Sequence, residues 1–222
     1  MSKTAIILGD RSDIAKALIP FLEADGWTVH GWNRDSEGVR AVEWDLVICA
    51  LGQVAPVGYW YDQKSDEVAE CFRSNVLRPL QLVRNMWTLR KPGASVCFLA
   101  GSNPNSIMPG YAAYNASKMS LLKLVEQMDH ESTDCKIFAL GPGYYKASKI
   151  HKPTLDAGWP NERIARGDDG MPIERIWACI KWCIGQRKKV VGGRNIAASD
   201  KWEFAEESLL NNPSKFKLRR AE

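Results

Sequence analysis

Thr4-Ala5-Ile6-Ile7-Leu8-Gly9-Asp10-Arg11-Ser12-Asp13-Ile14-Ala15 joins a short apolar run to a glycine, a polar turn and a second apolar pattern. The first run predicts a strand covered on both faces, as in a parallel sheet. Ser12 and Asp13 supply N-cap oxygens for a helix over residues 14–24, apolar at Ile14, Ala17, Leu18, Phe21 and Leu22. Pro20 predicts a kink in that helix, and Gly26 its end. Residues 27–32 read as a second strand, which completes a β-α-β unit.

Working outward, Trp44-Asp45-Leu46-Val47-Ile48-Cys49-Ala50-Leu51-Gly52 is another buried strand ending in glycine. The segment before it is too short for a full crossover helix, so one such helix is missing, and residues 39–43 have room only for a short edge strand. A long helical region over 66–90 ends at Lys91-Pro92-Gly93. It is followed by a strand over 95–100, a helix over 111–130 and a strand over 136–140. Residues 141–170 have no clean period and read as a long loop of the kind that is usually functional. A helix over 172–185 and a final strand over 188–191 complete the alternation. The expectation is one domain over 1–222: α/β, a Rossmann-like doubly wound parallel sheet with helices on both faces.

Composition narrows the function classes. The chain has 222 residues, 45% hydrophobic and 25% charged, as ordinary globular domains do. It opens without a charged-then-apolar leader and holds no apolar run long enough for a membrane span. A cytoplasmic location without membrane contact is therefore expected. Net charge is +4 and the positive residues are scattered except at Lys215-Phe216-Lys217-Leu218-Arg219-Arg220. That tail reads as a solvated terminal segment, and no nucleic-acid-reading motif accompanies it. The six cysteines form no CxxC pair and no zinc-ligand spacing, so no metal and buried reduced thiols are expected.

The turn after the first strand is where a dinucleotide pyrophosphate would meet the free amides of a helix N-terminus. Of the glycines such a turn usually carries, only Gly9 is present. Asp13 and Ala15 stand at the second and third positions, and Asp13 is expected to cap its own helix and so turn from an anion. Gly9, Arg11, Ser12, Asp13 and Ile14 are the candidate contacts. At the end of the second strand, an acid would bind a ribose 2′-hydroxyl and an arginine a 2′-phosphate. Asn33 followed by Arg34, with Arg11 in the turn, favours NADP(H), with NAD(H) the alternative.

Tyr114 and Lys118, four apart on a predicted helix, share a face one turn apart. A phenol is a poor base at neutral pH, and a neighbouring ammonium is expected to lower its pKa. Such a pair suits proton exchange with an alcohol or carbonyl. Spacing alone is common, and four further features carry the argument. Leu99-Ala100-Gly101-Ser102 ends a strand twelve residues before Tyr114; Asn75-Val76 lies in the long helix; Ala50-Leu51-Gly52 and Pro142-Gly143 each follow a strand.

With Tyr114-Asn115-Ala116-Ser117-Lys118, this order resembles the short-chain dehydrogenase/reductase family over nearly the whole chain. The resemblance implies that Tyr114 is the general acid or base and that Lys118 lowers its pKa and holds the nicotinamide ribose. It implies further that Ser102 bonds the substrate oxygen and that Asn75 positions a water on a proton relay. Ala50, Leu51, Gly52, Pro142 and Gly143 join the cofactor contacts. Ser106 is the alternative to Ser102, Tyr111 reads as a pocket wall, and Lys146 reads as a surface residue. Besides the turn, the family's threonine after Pro-Gly is replaced around Ala147-Ser148.

The expected activity is NAD(P)H-dependent interconversion of a small-molecule carbonyl and its alcohol, in a homodimer or homotetramer built on the helices near 66–90 and 111–130. The alternatives are a nucleotide-sugar epimerase or dehydratase, and a dinucleotide-binding redox sensor or scaffold without turnover.

Overall fold

A computed structural model describes residues 3–33, 42–101, 106–161 and 165–218. Six parallel strands form one sheet: β1 (Lys3–Leu8), β2 (Trp27–Trp32), β3 (Trp44–Cys49), β4 (Arg90–Leu99), β5 (Lys136–Gly141) and β6 (Asn195–Ala197), in the order β2-β1-β3-β4-β5-β6. Alternate residues feed opposite faces, as the strand pleat requires. Ala5 and Ile7 of β1 join Cys97, Leu99, Phe138 and Leu140 in one core. Ile6 and Leu8 join Val96, Phe98, Ile137 and Ala139 in the other. Both faces are covered, which is why the strands read as continuous apolar runs.

One face carries α1 (Asp13–Ala24) through Ala15, Leu18 and Leu22, together with a later helix (Ile173–Gly185) through Ile176, Trp177, Cys179, Ile180 and Cys183. The other carries α2 (Ser65–Phe72), α3 (Arg78–Asn85) and α4 (Ala112–Glu131), with Leu82, Val83, Leu121, Leu122 and Val125 in its core. The β5 loop holds a 3-10 turn (Lys149–His151) and α5 (Lys152–Asp156) before the Ile173–Gly185 helix, α6. Two short helices follow, α7 (Lys188–Val191) and α8 (Glu206–Asn211).

Three expectations are corrected. The region read as one helix over 66–90 is α2, a π-helical turn over Arg73–Leu77, α3 and a 3-10 turn at Trp87–Leu89, and β4 already begins at Arg90. Residues 188–191 form a helix, with Val190 and Val191 fully buried; the last strand comes later, after Gly192-Gly193. There Gly192 has no room for a side chain, since a Cβ would lie 2.3 Å from the Asp129 carboxylate. The basic tail is not merely solvated. Phe216 packs on one core and Leu218 on the other, while Asn195 donates its backbone N–H to the Phe216 carbonyl at 2.9 Å.

The short segment between β2 and β3 adds no helix among the described residues. Val42 and Glu43 are not in a strand, and residues 39–41, where the rest of the edge strand was expected, lie outside the described residues, as do Arg219 and Arg220. α1 runs through Pro20 as one helix. All six cysteines are free and buried. Among the described residues no helix is long and apolar enough to cross a membrane, and no group of His, Cys, Asp or Glu side chains is arranged to hold a metal ion.

Candidate active site

β1 lies between β2 and β3, so the connections on its two sides leave in opposite directions and open a crevice at the carboxyl ends of the strands. At that point the turn after β1 meets the turn after β3. The Ala50 N–H donates to the Leu8 carbonyl at 2.8 Å. A Cβ on Gly9, whose φ is +87°, would lie 3.0 Å from the Leu51 side chain and 3.1 Å from the Ala50 backbone. Gly9 is thus required by conformation and by space.

Ser12, not Asp13, is the N-cap of α1: its backbone is extended, and its Oγ accepts from the Ala15 N–H at 3.3 Å. Asp13 is the first helical residue. Its Oδ2 instead accepts the backbone N–H of Lys149 at 2.7 Å, which ties the β5 loop to the start of α1. On the β2 side, Asp10 fills the space left by Gly31, where a Cβ would lie 2.3 Å from Oδ2. Its Oδ1 accepts from the Asn33 side-chain amide at 3.0 Å. Arg34 lies outside the described residues.

Asn75 sits in the π-helical turn and is fully buried. Its side-chain amide brackets one residue of the β3 loop: Oδ1 accepts from the Gln53 N–H at 2.8 Å, and Nδ2 donates to the Gln53 carbonyl at 2.9 Å. Nδ2 also donates to Ser117 Oγ at 2.9 Å and lies 3.3 Å from Cys71 Sγ. Pro79 has no N–H, so the Asn75 carbonyl lacks the donor that an α-helix would bring four residues on. Helical register shifts of this kind recur at functional sites.

α4 begins after Tyr111 and carries Tyr114, Ser117 and Lys118 within its first two turns. The ammonium of the buried Lys118 donates to the Leu99 carbonyl at 3.0 Å and lies 5.9 Å from the centroid of the Tyr114 ring. Ser117 donates back to the Tyr114 carbonyl at 2.7 Å. Gly52 closes the arrangement. A Cβ there would lie 2.8 Å from Asn75 Oδ1 and 3.3 Å from Lys118 Nζ, and its φ is +156°. β3, β4, the π-turn and α4 therefore converge on one small volume. Ser102, which follows β4, lies outside the described residues.

Burial dominates the electrostatics. It pushes the Tyr114 phenol up to about 12, and it pulls the Lys118 ammonium down to about 8. In the protein by itself Tyr114 is thus held protonated, the reverse of the lowering expected from the spacing. Removal from water disfavours the charged form of each group, the phenolate of Tyr114 and the ammonium of Lys118. The Cys71 thiol beside Asn75 is also raised by burial.

Pro142 and Gly143 follow β5 directly, with Gly143 at φ +78°. Ser148 Oγ accepts from the Ile150 N–H at 3.3 Å and so caps the 3-10 turn. Tyr111 is buried and donates to Thr154 Oγ1 at 3.0 Å, which ties α4 to the β5 loop. Lys146 is a surface residue paired with Asp169 at 3.4 Å. The sequence reading missed Gln53, Cys71, Ser117 and the Leu99 carbonyl. None of these had a signal along the chain; the π-turn that presents Asn75 to them did, in Pro79 placed four residues after Asn75.

No protein-family model and no curated protein matches the chain. Solved structures do match. A small-chain dehydrogenase in complex with NADPH has a TM-score of 0.75 at 16% identity, covering 89% of this chain and 96% of that one. A short-chain dehydrogenase from Salmonella enterica serovar Typhi has a TM-score of 0.73 at 14% identity, covering 90% and 97%. A 4-hydroxyisoleucine dehydrogenase complexed with NADH has a TM-score of 0.68 at 17% identity, covering 88% and 96%. The chain therefore has the Rossmann-like fold of the short-chain dehydrogenases and reductases, along nearly its whole length.

Proposed function

We propose that the protein is an NAD(P)H-dependent oxidoreductase that interconverts a carbonyl and an alcohol, with Tyr114 as the proton-transfer group. The observation that carries this reading is that Asn75 and Lys118 meet at Gly52, at the crevice end of the sheet, with the Lys118 ammonium 5.9 Å from the Tyr114 ring centroid. The residues present fit a nicotinamide dinucleotide. Gly9 lets the turn after β1 pack directly on Ala50 and Leu51 of the turn after β3, which brings both turns to the switch point, and α1 offers its N-terminal amides there with Ser12 as the cap. Gly9, Arg11, Ser12, Ile14, Ala50, Leu51, Gly52, Lys118, Pro142 and Gly143 would hold the group. The chemistry it supplies when bound is hydride donation or acceptance.

Tyr114, protonated at neutral pH, gives its phenol proton to the carbonyl oxygen as the carbon is reduced, and takes a proton back in the alcohol-to-carbonyl direction. Lys118 keeps a positive charge beside the phenolate that results. Ser102 bonds the substrate oxygen. Asn75, whose side chain is committed to Gln53 and Ser117, offers its carbonyl to a water that connects Lys118 to solvent.

NADP(H) is our preferred cofactor. Asn33 stands at the end of β2 in place of a ribose-binding acid, and Arg11 and Arg34 suit a 2′-phosphate. The Asp10 carboxylate held by Asn33 weighs toward NAD(H). We further propose a homodimer or homotetramer acting in the cytoplasm on a small-molecule substrate, without nucleic-acid or membrane partners. A second reading, dinucleotide sensing without turnover, is favoured by the Asp13 carboxylate at the start of α1 and its bond to Lys149.

Titrating the nine tryptophans' fluorescence with NADPH and with NADH tests the reading. Binding to neither at millimolar concentration rejects it, and the tighter of the two decides the preference. Tyr114→Phe should then lower carbonyl reduction by about a hundredfold or more, the scale of general acid catalysis, and leave cofactor affinity nearly unchanged. Turnover in Tyr114→Phe equal to wild type would remove Tyr114 from the mechanism, and binding without turnover on any carbonyl would favour the sensor.

A further inference from the structure

Four aromatic rings stand in a row on two loops that leave the carboxyl ends of the sheet. Trp60 meets Tyr61 edge to face at 5.8 Å, Tyr61 stacks on Tyr59 at 5.3 Å and 4°, and Tyr59 meets Trp159 edge to face at 5.0 Å. The first three come from the loop after β3 and the last from the loop after β5. The loop after β4 supports the row from below. Trp159 Nε1 donates to the Pro109 carbonyl at 2.8 Å, and its ring lies where a Cβ on Gly110 would be, 2.2 Å away. The Gly58 N–H donates to the Gly110 carbonyl at 3.0 Å, and Gln63 Nε2 donates to the Gly58 carbonyl at 3.0 Å.

These rings are fixed against one another, yet Tyr59, Trp60 and Tyr61 are 56%, 74% and 64% exposed. Large contiguous apolar surface is rare on a monomer and marks a place where something binds. The row offers ring faces and two phenol hydroxyls, and the carboxylate of the exposed Asp62 on the same turn disfavours an anionic ligand. Such surface receives a flat, uncharged ring by stacking, at little cost in side-chain freedom. The chain that carries the Trp159 end of the row leads to the candidate site. Gly110 immediately precedes Tyr111, the N-cap of α4, and Tyr114 lies in the first turn of that helix. All three loops rise from strand ends where open α/β sheets bind their ligands.

We propose that Tyr59, Trp60, Tyr61 and Trp159 form a substrate subsite for an uncharged, ring-bearing body attached to the reacting carbonyl. This rests on the oxidoreductase reading for the carbonyl, whereas binding of the ring does not depend on turnover. The substrate class is therefore an aryl or alicyclic ketone or aldehyde, and its alcohol, in preference to short aliphatic or charged ones.

Two measurements on the full chain test the subsite. In the first, kcat/KM for 4-phenylbutan-2-one and for butan-2-one are compared with the tighter-binding cofactor. The ring ketone should be preferred by about tenfold or more, the scale of one buried ring contact. Trp60→Ala and Tyr59→Leu should remove that preference through KM and leave kcat for butan-2-one unchanged. Equal kcat/KM for the two ketones in the wild type overturns the proposal.

In the second, saturation-transfer NMR reads binding of 4-phenylbutan-2-ol without cofactor. Binding that survives Tyr114→Phe and weakens in Trp60→Ala supports the subsite, even if the nicotinamide titration has rejected the enzyme. No binding, or binding indifferent to both ring substitutions, overturns it. A change of oligomeric state in Trp60→Ala on sedimentation also overturns it, because the rings would then face a second copy.

Discussion

Gly52 shows how much one missing side chain decides. Its backbone passes so close to Asn75 Oδ1 and Lys118 Nζ that a methyl group would displace one of them. Gly52→Ala should lower stability by about 1–3 kcal/mol through backbone strain and kcat by about a hundredfold through misplacement of Lys118; melts and initial rates read both. Lys118 itself carries a pH signature. Its folded pKa, about 8, lies below its ordinary 10.5, so the unfolded chain binds that proton more tightly. The cost of the buried ammonium is full below pH 8 and is relieved as pH rises from about 8 to about 10.5. Tyr114, raised to about 12 by burial, acts oppositely, and its contribution is lost between about pH 10 and 12. The stability of wild type relative to Lys118→Met should therefore rise from pH 7.5 to 9.5 in denaturant titrations. A difference independent of pH would show that Lys118 is not a desolvated ammonium.

Among elements, the Asp13 carboxylate on the Lys149 N–H joins α1 to the β5 loop. Ser12 already caps α1, so Asp13 is free to serve another segment, and it serves the loop next to the candidate site. Asp13→Ala should leave α1 intact and release the 3-10 turn at Lys149–His151. Hydrogen exchange at the Lys149 amide should quicken by about tenfold, the value of one exposed charge-assisted bond. Unchanged exchange would mean that the loop is held from its other end, by Tyr111 on Thr154. The π-turn works in the same way between α2 and α3. Pro79 removes one helical donor, and the Asn75 side chain holds the β3 loop at Gln53 while lying against Cys71 of α2.

At the scale of the whole molecule, the last strand is closed by a buried arginine. Arg194, 3% exposed, donates to the carbonyls of Leu209 at 2.7 Å, Asn212 at 3.1 Å and Lys215. It thereby satisfies the carboxyl end of α8 and folds the tail over β6. Asn195 Nδ2 donates to the Gly101 carbonyl at 2.9 Å, so the same edge supports the residues after β4. Arg194→Met should cost about 1–3 kcal/mol, because the buried Leu209 carbonyl loses its donor and the half-buried links to Asn212 and Lys215 go with it. A loss in chemical denaturation below about 0.5 kcal/mol, the range of neutral surface changes, would show that the tail holds itself.

By itself the sequence determined the layer architecture and the candidate residues that lie on regular elements. Two-sided burial writes itself as runs such as residues 5–8 and 46–49. Helical spacing puts Tyr114 and Lys118 on one face. It also showed that no crossover helix fits before Trp44. It misread 188–191, because Val190-Val191 is equally apolar as a strand or as a buried helical turn; the backbone there bonds to itself, Gly192 N–H to the Lys188 carbonyl at 2.7 Å, and β5 pairs with 195–197 instead. The tertiary structure alone decided that Asp13 binds the loop, that Gln53 is held by Asn75, and that Tyr59 meets Trp159. It also decided the direction of the Tyr114 and Lys118 shifts. Each depends on what lies across space from a side chain and on how much water is excluded there, neither of which has a period or spacing along the chain.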